Sequence, residues 1–171
     1  MSLSRITIAG VPLAGKMSAL VSMAAAAGAD VARSISEVPD GRWKGAQESA
    51  LHFSLDRGED RVSVRTIPGG AAVESTLMLL EKSDIGVFLF DFAGKRREQE
   101  SEFWRKVSGA VPPERWVYLI NESSDSKETA EDVVAAVHAN PALPRLSACA
   151  IDAGHGPRML EFILEALDRN R

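Results

Sequence analysis

The sequence predicts a three-layer α/β fold, with helices on both faces of a mostly parallel sheet. Three observations support this prediction. Strand-like and helix-like segments alternate along the 171 residues. Two strand-like segments, IGVFLFDF and RWVYLIN, are apolar almost throughout, as strands buried on both faces are. The segments ALHFSLD and RVSVRTI alternate apolar and polar residues around a Gly-containing turn, which indicates a hairpin and one antiparallel strand.

The first half of the chain begins with the strand RITIAG, a β-branched run that stops at Gly10. The Ala-rich helix after this strand is closed by Gly28. Residues 29–49 are polar with weak periodicity, and we interpret them as a long connection. The hairpin follows, the segment PGG breaks the chain, and the next helix is marked by an apolar stripe of Val73, Leu77 and Leu80.

In the second half of the chain, the two apolar strands are each followed by a helix. The second of these helices has Ala130, Val133, Val134 and Val137 at i, i+3, i+4 and i+7. RLSACAI is the last strand, and Pro157 suits the start of the last helix. The order is therefore β-α-β-β-α-β-α-β-α-β-α, a six-stranded sheet with one antiparallel strand in a single domain spanning residues 1–171.

Composition excludes several function classes. The formal net charge is −4 and no dense Lys/Arg run occurs, which argues against nucleic-acid binding. No apolar run approaches the roughly 18–20 residues of a membrane span, so direct membrane insertion is not expected. Cys149 is the one cysteine, which predicts a reducing, cytoplasmic setting, and no histidine partner is predictable near it. The run KRREQESE indicates a solvated helix face of mixed charge.

One motif carries chemistry: Gly10, four residues, Gly15 and Lys16, placed between the first strand and the first helix. Such a loop turns backbone N–H groups inward as a nest for phosphate oxygens, and here Leu13 and Ala14 belong to it. The helix N-terminus adds its positive dipole end, and Lys16 adds a full charge. The alternative interpretation is a Gly-rich turn with a solvated lysine.

The residue after this lysine is unusual, because Met17 stands where phosphate loops carry Ser or Thr. The usual hydroxyl binds Mg²⁺, and a thioether is a soft ligand that Mg²⁺ does not favour. Ser18, about 100° further round the helix, is a weak candidate metal ligand. The simpler interpretation is that Met17 packs against the protein and that Mg²⁺ binds weakly or not at all.

Together, these segments resemble the Ras-like small GTPases, and most closely the bacterial MglA-type GTPases. The resemblance rests on GVPLAGK, GAQESALHFSLD, TIPGG and GVFLFDFAGKRREQESEF, and the element order extends it over essentially the whole chain. It implies a Ras-like P-loop domain that switches between GTP and GDP with Mg²⁺. It also implies two switch loops at residues 34–49 and 68–77, a protein effector or activator, and a role in bacterial polarity or motility signalling.

The resemblance assigns further roles by position. Lys16 matches the lysine on the β- and γ-phosphates, and Gly69 matches the glycine whose backbone senses the γ-phosphate. Gly70 stands in place of the glutamine that orients the attacking water, so no catalytic residue is assigned and hydrolysis should be slow or partner-dependent. Arg42 and Lys44 could supply a cation to the phosphoryl group, although a solvated loop cation is the simpler interpretation.

Base recognition by this family uses Asn-Lys-x-Asp, and the chain has NESSD at that place. Asn121 matches the asparagine, Glu122 replaces the lysine, and Ser124 stands where the aspartate should be. Asp125 is one residue late, and with Glu128 it could instead form a capping box for the next helix, which is the favoured interpretation.

The family's Ser-Ala-Lys loop resembles SACAI, with Ala148 or Ala150 as the residue whose N–H meets the guanine O6. Two functions therefore stay open: a GTP- and GDP-binding switch, and a pseudo-GTPase that serves as a protein-interaction module. A small P-loop kinase is a third possibility, which the hairpin after the first helix disfavours. The pseudo-GTPase hypothesis is motivated by the departures from the family pattern at Met17, Gly70, Glu122 and Ser124.

Overall fold

The computed structural model describes residues 2–37, 47–67, 73–91, 96–122 and 128–171. The strands are β1 (Ser2–Ala9), β2 (Ala32–Glu37), β3 (Gln47–Arg57), β4 (Asp60–Thr66), β5 (Ile85–Asp91), β6 (Trp116–Asn121) and β7 (Arg145–Ala148). The helices are α1 (Lys16–Ala26), α2 (Val73–Leu80), α3 (Arg97–Val107), α4 (Ala130–Ala136) and α5 (Gly156–Arg169). Short 3₁₀ turns lie at Ser108–Ala110, Pro113–Arg115 and Ala153–His155.

These strands form one sheet in the order β2-β3-β4-β1-β5-β6-β7. Strand β3 runs antiparallel to both of its neighbours, and the other described pairings are parallel. The predicted fold class and its single antiparallel strand are therefore confirmed for the described part of the chain. Both faces of the sheet carry helices, and the apolar β5 and β6 are buried between them.

The predicted number of strands is wrong, because the sheet has seven strands and not six. The additional strand is β2, which lies in the segment interpreted as a long connection and pairs with β3 from Ala32↔His52 to Glu37↔Gln47. This strand forms one edge of the sheet, where backbone hydrogen bonds to a single neighbour hold it. An edge strand needs few apolar side chains, so its sequence carries no strong apolar alternation.

Two apolar cores flank the sheet. One core packs α1 and α5 against the sheet, with Leu20, Met23, Ile163 and Leu167 as helix members. The other core packs α3 and α4 against β5 and β6, and includes an edge-to-face contact between the rings of Trp104 and Trp116. The two cores hold the carboxyl ends of β1, β5, β6 and β7 at one edge of the sheet. That edge is where ligands bind in open α/β sheets.

The start of α4 corrects one prediction. Thr129 is the N-cap of α4, and its side chain forms a capping box with Asp132. The interpretation of Asp125 and Glu128 as the capping box is therefore wrong, although Asp125 itself lies outside the described residues. Glu128 instead forms an ion pair with Arg97 at 2.7 Å. None of the helices in the described ranges is long and apolar enough to cross a membrane.

Candidate phosphate-binding site

The loop between β1 and α1 needs its two glycines for steric reasons. A Cβ atom on Gly10 would lie 2.7 Å from the carbonyl oxygen of Leu89 in β5. Gly15 has a φ of 101°, and a Cβ there would lie 2.5 Å from the side-chain nitrogen of Asn121. Leu13 also has a left-handed φ of 65°, with its side chain 81% exposed. Left-handed backbone in a non-glycine residue costs about 1–2 kcal/mol and is often retained at functional sites.

This loop leaves several backbone donors without a partner. The N–H groups of Leu13, Gly15, Lys16, Met17 and Ser18 donate to no protein acceptor among the described residues. Gly15 is the N-cap of α1 and offers no side-chain cap, and the first turn of the helix contains no acidic residue. Unpaired N–H groups at a helix N-terminus are the donors that bind phosphate in proteins.

Lys16 adds a buried cation to these donors. Only 7% of its surface is exposed, and its Nζ atom donates to the carbonyl oxygens of Gly10 at 2.7 Å and Val11 at 2.8 Å. Burial lowers the pKa of Lys16 to about 8. None of the described carboxylates pairs with it. An ammonium has three donors, so one N–H remains for an anion that would compensate the buried charge.

The metal-ligand position of the loop does not fit Mg²⁺. Met17 is 54% exposed, which shows that the interpretation of a packed Met17 is wrong. Ser18 is half-buried on the next position of the helix. Over the ranges that the structure describes, no group of His, Cys, Asp and Glu side chains could hold a metal ion. A soft, exposed thioether is a poor substitute for the oxygen that Mg²⁺ prefers.

Asn121, at the end of β6, connects the loop between β1 and α1 to the segment that follows β7. Its Nδ2 atom donates to the Ala14 carbonyl oxygen, and its Oδ1 atom accepts from the Ala150 N–H, both at 3.0 Å. Of the two alanines predicted to approach a base, Ala148 lies within β7, and Ala150 lies beyond the strand and against Gly15. The structure therefore brings Gly10, Ala14, Gly15, Lys16, Asn121 and Ala150 together at one edge of the sheet.

Two further contacts that the sequence did not predict fix the segment after β7. The Ser22 hydroxyl in α1 donates to the Ala150 carbonyl oxygen at 2.9 Å. The Nδ1 atom of His155 accepts from the backbone N–H of half-buried Cys149 at 2.7 Å. A histidine therefore lies near Cys149, where the sequence offered no means of predicting one, and it contacts the backbone N–H of this residue. This hydrogen bond joins a backbone N–H to a side chain six residues later, a pattern that has no recognisable sequence signature.

The start of α3 also contributes residues that the sequence analysis missed. Glu100 is fully buried and accepts from the Asp91 backbone N–H and from Arg97, so the interpretation of the run KRREQESE as a solvated face is wrong at this residue. Burial raises the pKa of the Glu100 carboxyl. Beside this network, the guanidinium of Arg96 donates to the carbonyl oxygen of Pro12 in the loop between β1 and α1. A basic side chain thus touches the loop from outside.

Several predicted site residues lie outside the described residues. These are Gly69, Gly70, Ser124 and Asp125, together with the loop cations Arg42 and Lys44. Their roles stay predictions. Of the first predicted switch loop, residues 38–46 also fall outside the description.

A comparison with the known protein families gives no match, and neither does a comparison with curated protein sequences. Comparison with solved structures does find similar folds. The G domain of the FeoB iron transporter of T. maritima is 13% identical, with a TM-score of 0.65 over 98% of both chains. The bacterial selenocysteine-specific elongation factor EF-Sec is also 13% identical, with a TM-score of 0.65 over 99% of this chain and 29% of that one. At this identity the likeness concerns the fold, and we conclude that the chain has the α/β fold of a P-loop G domain.

Proposed function

We propose that this protein binds the guanine nucleotides GTP and GDP, with their phosphates in the loop from Gly10 to Lys16, and acts as a molecular switch. The observation that carries this proposal is the buried Lys16 ammonium, which lacks a carboxylate partner in the described part of the chain. Unpaired N–H groups of the same loop surround the start of α1. The G-domain fold of the similar structures supports the same proposal.

Asn121 is the proposed contact to the base. Its Nδ2 group gives one N–H to Ala14 and has a second N–H that a purine N7 can accept. Asp125 and the N–H of Ala148 or Ala150 are the other proposed base contacts. The position of Ala150 beyond β7 favours it over Ala148, although its N–H already donates to Asn121. A purine N7 occurs in guanine and adenine alike, so selectivity for guanine rests on these remaining contacts.

Hydrolysis is proposed to be slow or partner-dependent. Gly70 has no side chain to orient a water molecule, and Gly69 would contact the γ-phosphate through its backbone. An activating protein would then supply the missing group. Following the MglA-type resemblance, we further propose a cytoplasmic protein that signals through an effector in bacterial polarity or motility.

Two measurements test nucleotide binding. Mass spectrometry of the ligand released on denaturation of the purified protein should identify GDP or GTP, and calorimetry should then give a higher affinity for GDP than for ADP. The variant Lys16→Met should bind GDP ten- to a hundredfold more weakly, because a charge-assisted hydrogen bond contributes roughly 1.5–3 kcal/mol. The matched control is Lys82→Met, which removes an exposed lysine just after α2 and should leave affinity unchanged.

The second candidate function is a pseudo-GTPase that serves as a protein-interaction module. The exposed Met17 thioether at the metal position favours it, because nucleotide binding in this fold normally includes the metal. If no nucleotide is released and none binds in calorimetry, the switch proposal fails and the interaction module remains. If stoichiometric GDP is recovered, the nucleotide-free form of this alternative is excluded.

A further inference from the structure

We infer that this protein, if it binds nucleotide as proposed above, binds the phosphates without a divalent cation and uses the guanidinium of Arg96 as a second positive group beside Lys16. The inference depends on the proposed function for its ligand. What it adds is that the protein supplies the positive charge that compensates the phosphates, and that Arg96 provides part of this charge. Three features of the described residues support it.

The first feature is the mismatch between the loop and Mg²⁺. The first turn of α1 offers the exposed thioether of Met17 where a hydroxyl is needed, and it contains no acidic residue. Elsewhere in the described ranges, His, Cys, Asp and Glu side chains form no group that could replace the lost ligand. Phosphates bound here would therefore need their charge compensated by cationic side chains.

The second feature is the set of cations that contact the loop backbone. Lys16 donates to the carbonyl oxygens of Gly10 and Val11, and Arg96 donates to that of the next residue, Pro12. Three consecutive carbonyl groups thus accept from a positive side chain. The two cations lie on the same loop, Lys16 buried within it and Arg96 half-buried against it.

The third feature is the difference between Arg96 and its neighbour. Arg97 forms ion pairs with Glu100 and Glu128, whereas Arg96 forms none with any described carboxylate. A guanidinium has five donors in a planar fork that matches phosphate oxygens, and Arg96 gives one of them to Pro12. Its other four donors bind no acceptor among the described residues, and we infer that they are available to an anion in the loop.

The start of α3 is fixed in a way that holds Arg96 in this position. Glu100 accepts from the backbone N–H of Asp91 at the end of β5 and from the Arg97 guanidinium. Arg97 also donates to the Asp91 carbonyl oxygen. These partly buried contacts attach the first turn of α3 to the carboxyl edge of the sheet, and Arg96 directly precedes that turn. Arg96 is thus held beside the loop by a network that it does not itself join.

The test is calorimetry of GDP binding to the full chain with Mg²⁺ and with EDTA. We expect affinities in the two buffers to agree within about threefold, and Arg96→Gln to weaken binding in EDTA about tenfold or more. The matched control is Arg105→Gln, which removes an exposed arginine near the other end of α3. Heat denaturation of each variant checks that the fold is intact. The variant Met17→Thr restores a hydroxyl at an exposed position and should make binding stronger in Mg²⁺ than in EDTA.

The outcomes separate this inference from the proposed function. If wild-type protein binds GDP only with Mg²⁺, or if Arg96→Gln binds as tightly as Arg105→Gln, the inference is overturned and the proposed function stands. If GDP binds in neither buffer, the proposed function fails, and the inference fails with it. Equal affinity in both buffers with a selective loss in Arg96→Gln supports both.

Discussion

Nucleotide binding should be coupled to proton uptake by Lys16. Burial lowers the pKa of this lysine from 10.5 to about 8 in the free protein, and a bound phosphate would stabilise the ammonium and raise the pKa again. In the free protein about nine-tenths of Lys16 is protonated at about pH 7, and about a quarter at about pH 8.5. If only the protonated form binds, GDP affinity should fall about fourfold over this interval.

Calorimetry in buffers of different ionisation enthalpy measures the protons taken up directly. At about pH 8.5 roughly three-quarters of a proton should enter per GDP bound, and at about pH 7 roughly a tenth. Lys16→Arg is the control, because a guanidinium stays charged over this range and should abolish both the uptake and the loss of affinity. The reasoning is refuted if the wild-type protein takes up no proton at the higher pH, or if Lys16→Arg gives the same slope.

The lowered pKa of Lys16 should also make the stability of the free protein depend on pH. Between about pH 8 and pH 10.5 the unfolded chain retains the Lys16 proton that the folded chain has lost. Stability rises with pH wherever the unfolded state binds more protons. The contribution of Lys16 to the free energy of unfolding should therefore increase through this window, and bound GDP should suppress that increase.

Three substitutions test contacts around the site by urea denaturation. Gly156→Ala would place a Cβ atom 2.2 Å from the carbonyl oxygen of Ser22, and forcing α5 from α1 should cost about 1–3 kcal/mol. Thr129→Ala removes the N-cap that bonds Asp132 and should cost about 1 kcal/mol. Asn121→Ala removes two hydrogen bonds, which should cost about 1–3 kcal/mol in stability and weaken GDP binding measured by calorimetry.

Each of these predictions has a clear contrary result. Unchanged stability in Gly156→Ala would mean that α5 can move away from α1 without cost, which would contradict the reasoning from their close backbone contact. A loss well above 2 kcal/mol in Thr129→Ala would mean that the capping box supports more than its own helix. Normal GDP affinity in Asn121→Ala would remove this side chain from the proposed base site.

The apolar strands and the position of the loop from Gly10 to Lys16 could be predicted because their signals are local. β5 and β6 are continuous apolar runs, and Gly10, Gly15 and Lys16 follow a spacing that the loop geometry itself requires. The edge strand β2 could not be predicted in this way, because it is held by backbone pairing with β3 and its own sequence is mostly polar.

Side chains that act across the sequence were not predictable for a different reason. Glu100 lies in a run of charged residues, and only its contacts in the folded protein, such as the one with the Asp91 backbone, distinguish it from a solvated glutamate. Arg96 is likewise set apart by its contact with Pro12, 84 positions away in the chain. For Met17 the sequence shows a thioether in place of a hydroxyl, but whether that side chain is packed or exposed depends on the packing of α1.

The amide of Asn121 has a mechanical consequence. It bonds Ala14 on one side and Ala150 on the other, two residues that are far apart in the chain. We therefore expect the two segments to open together. A small anion such as pyrophosphate, which touches only the first segment, would thereby also slow the opening of the second. Hydrogen exchange at residues 149–152 should therefore be slower in the presence of pyrophosphate.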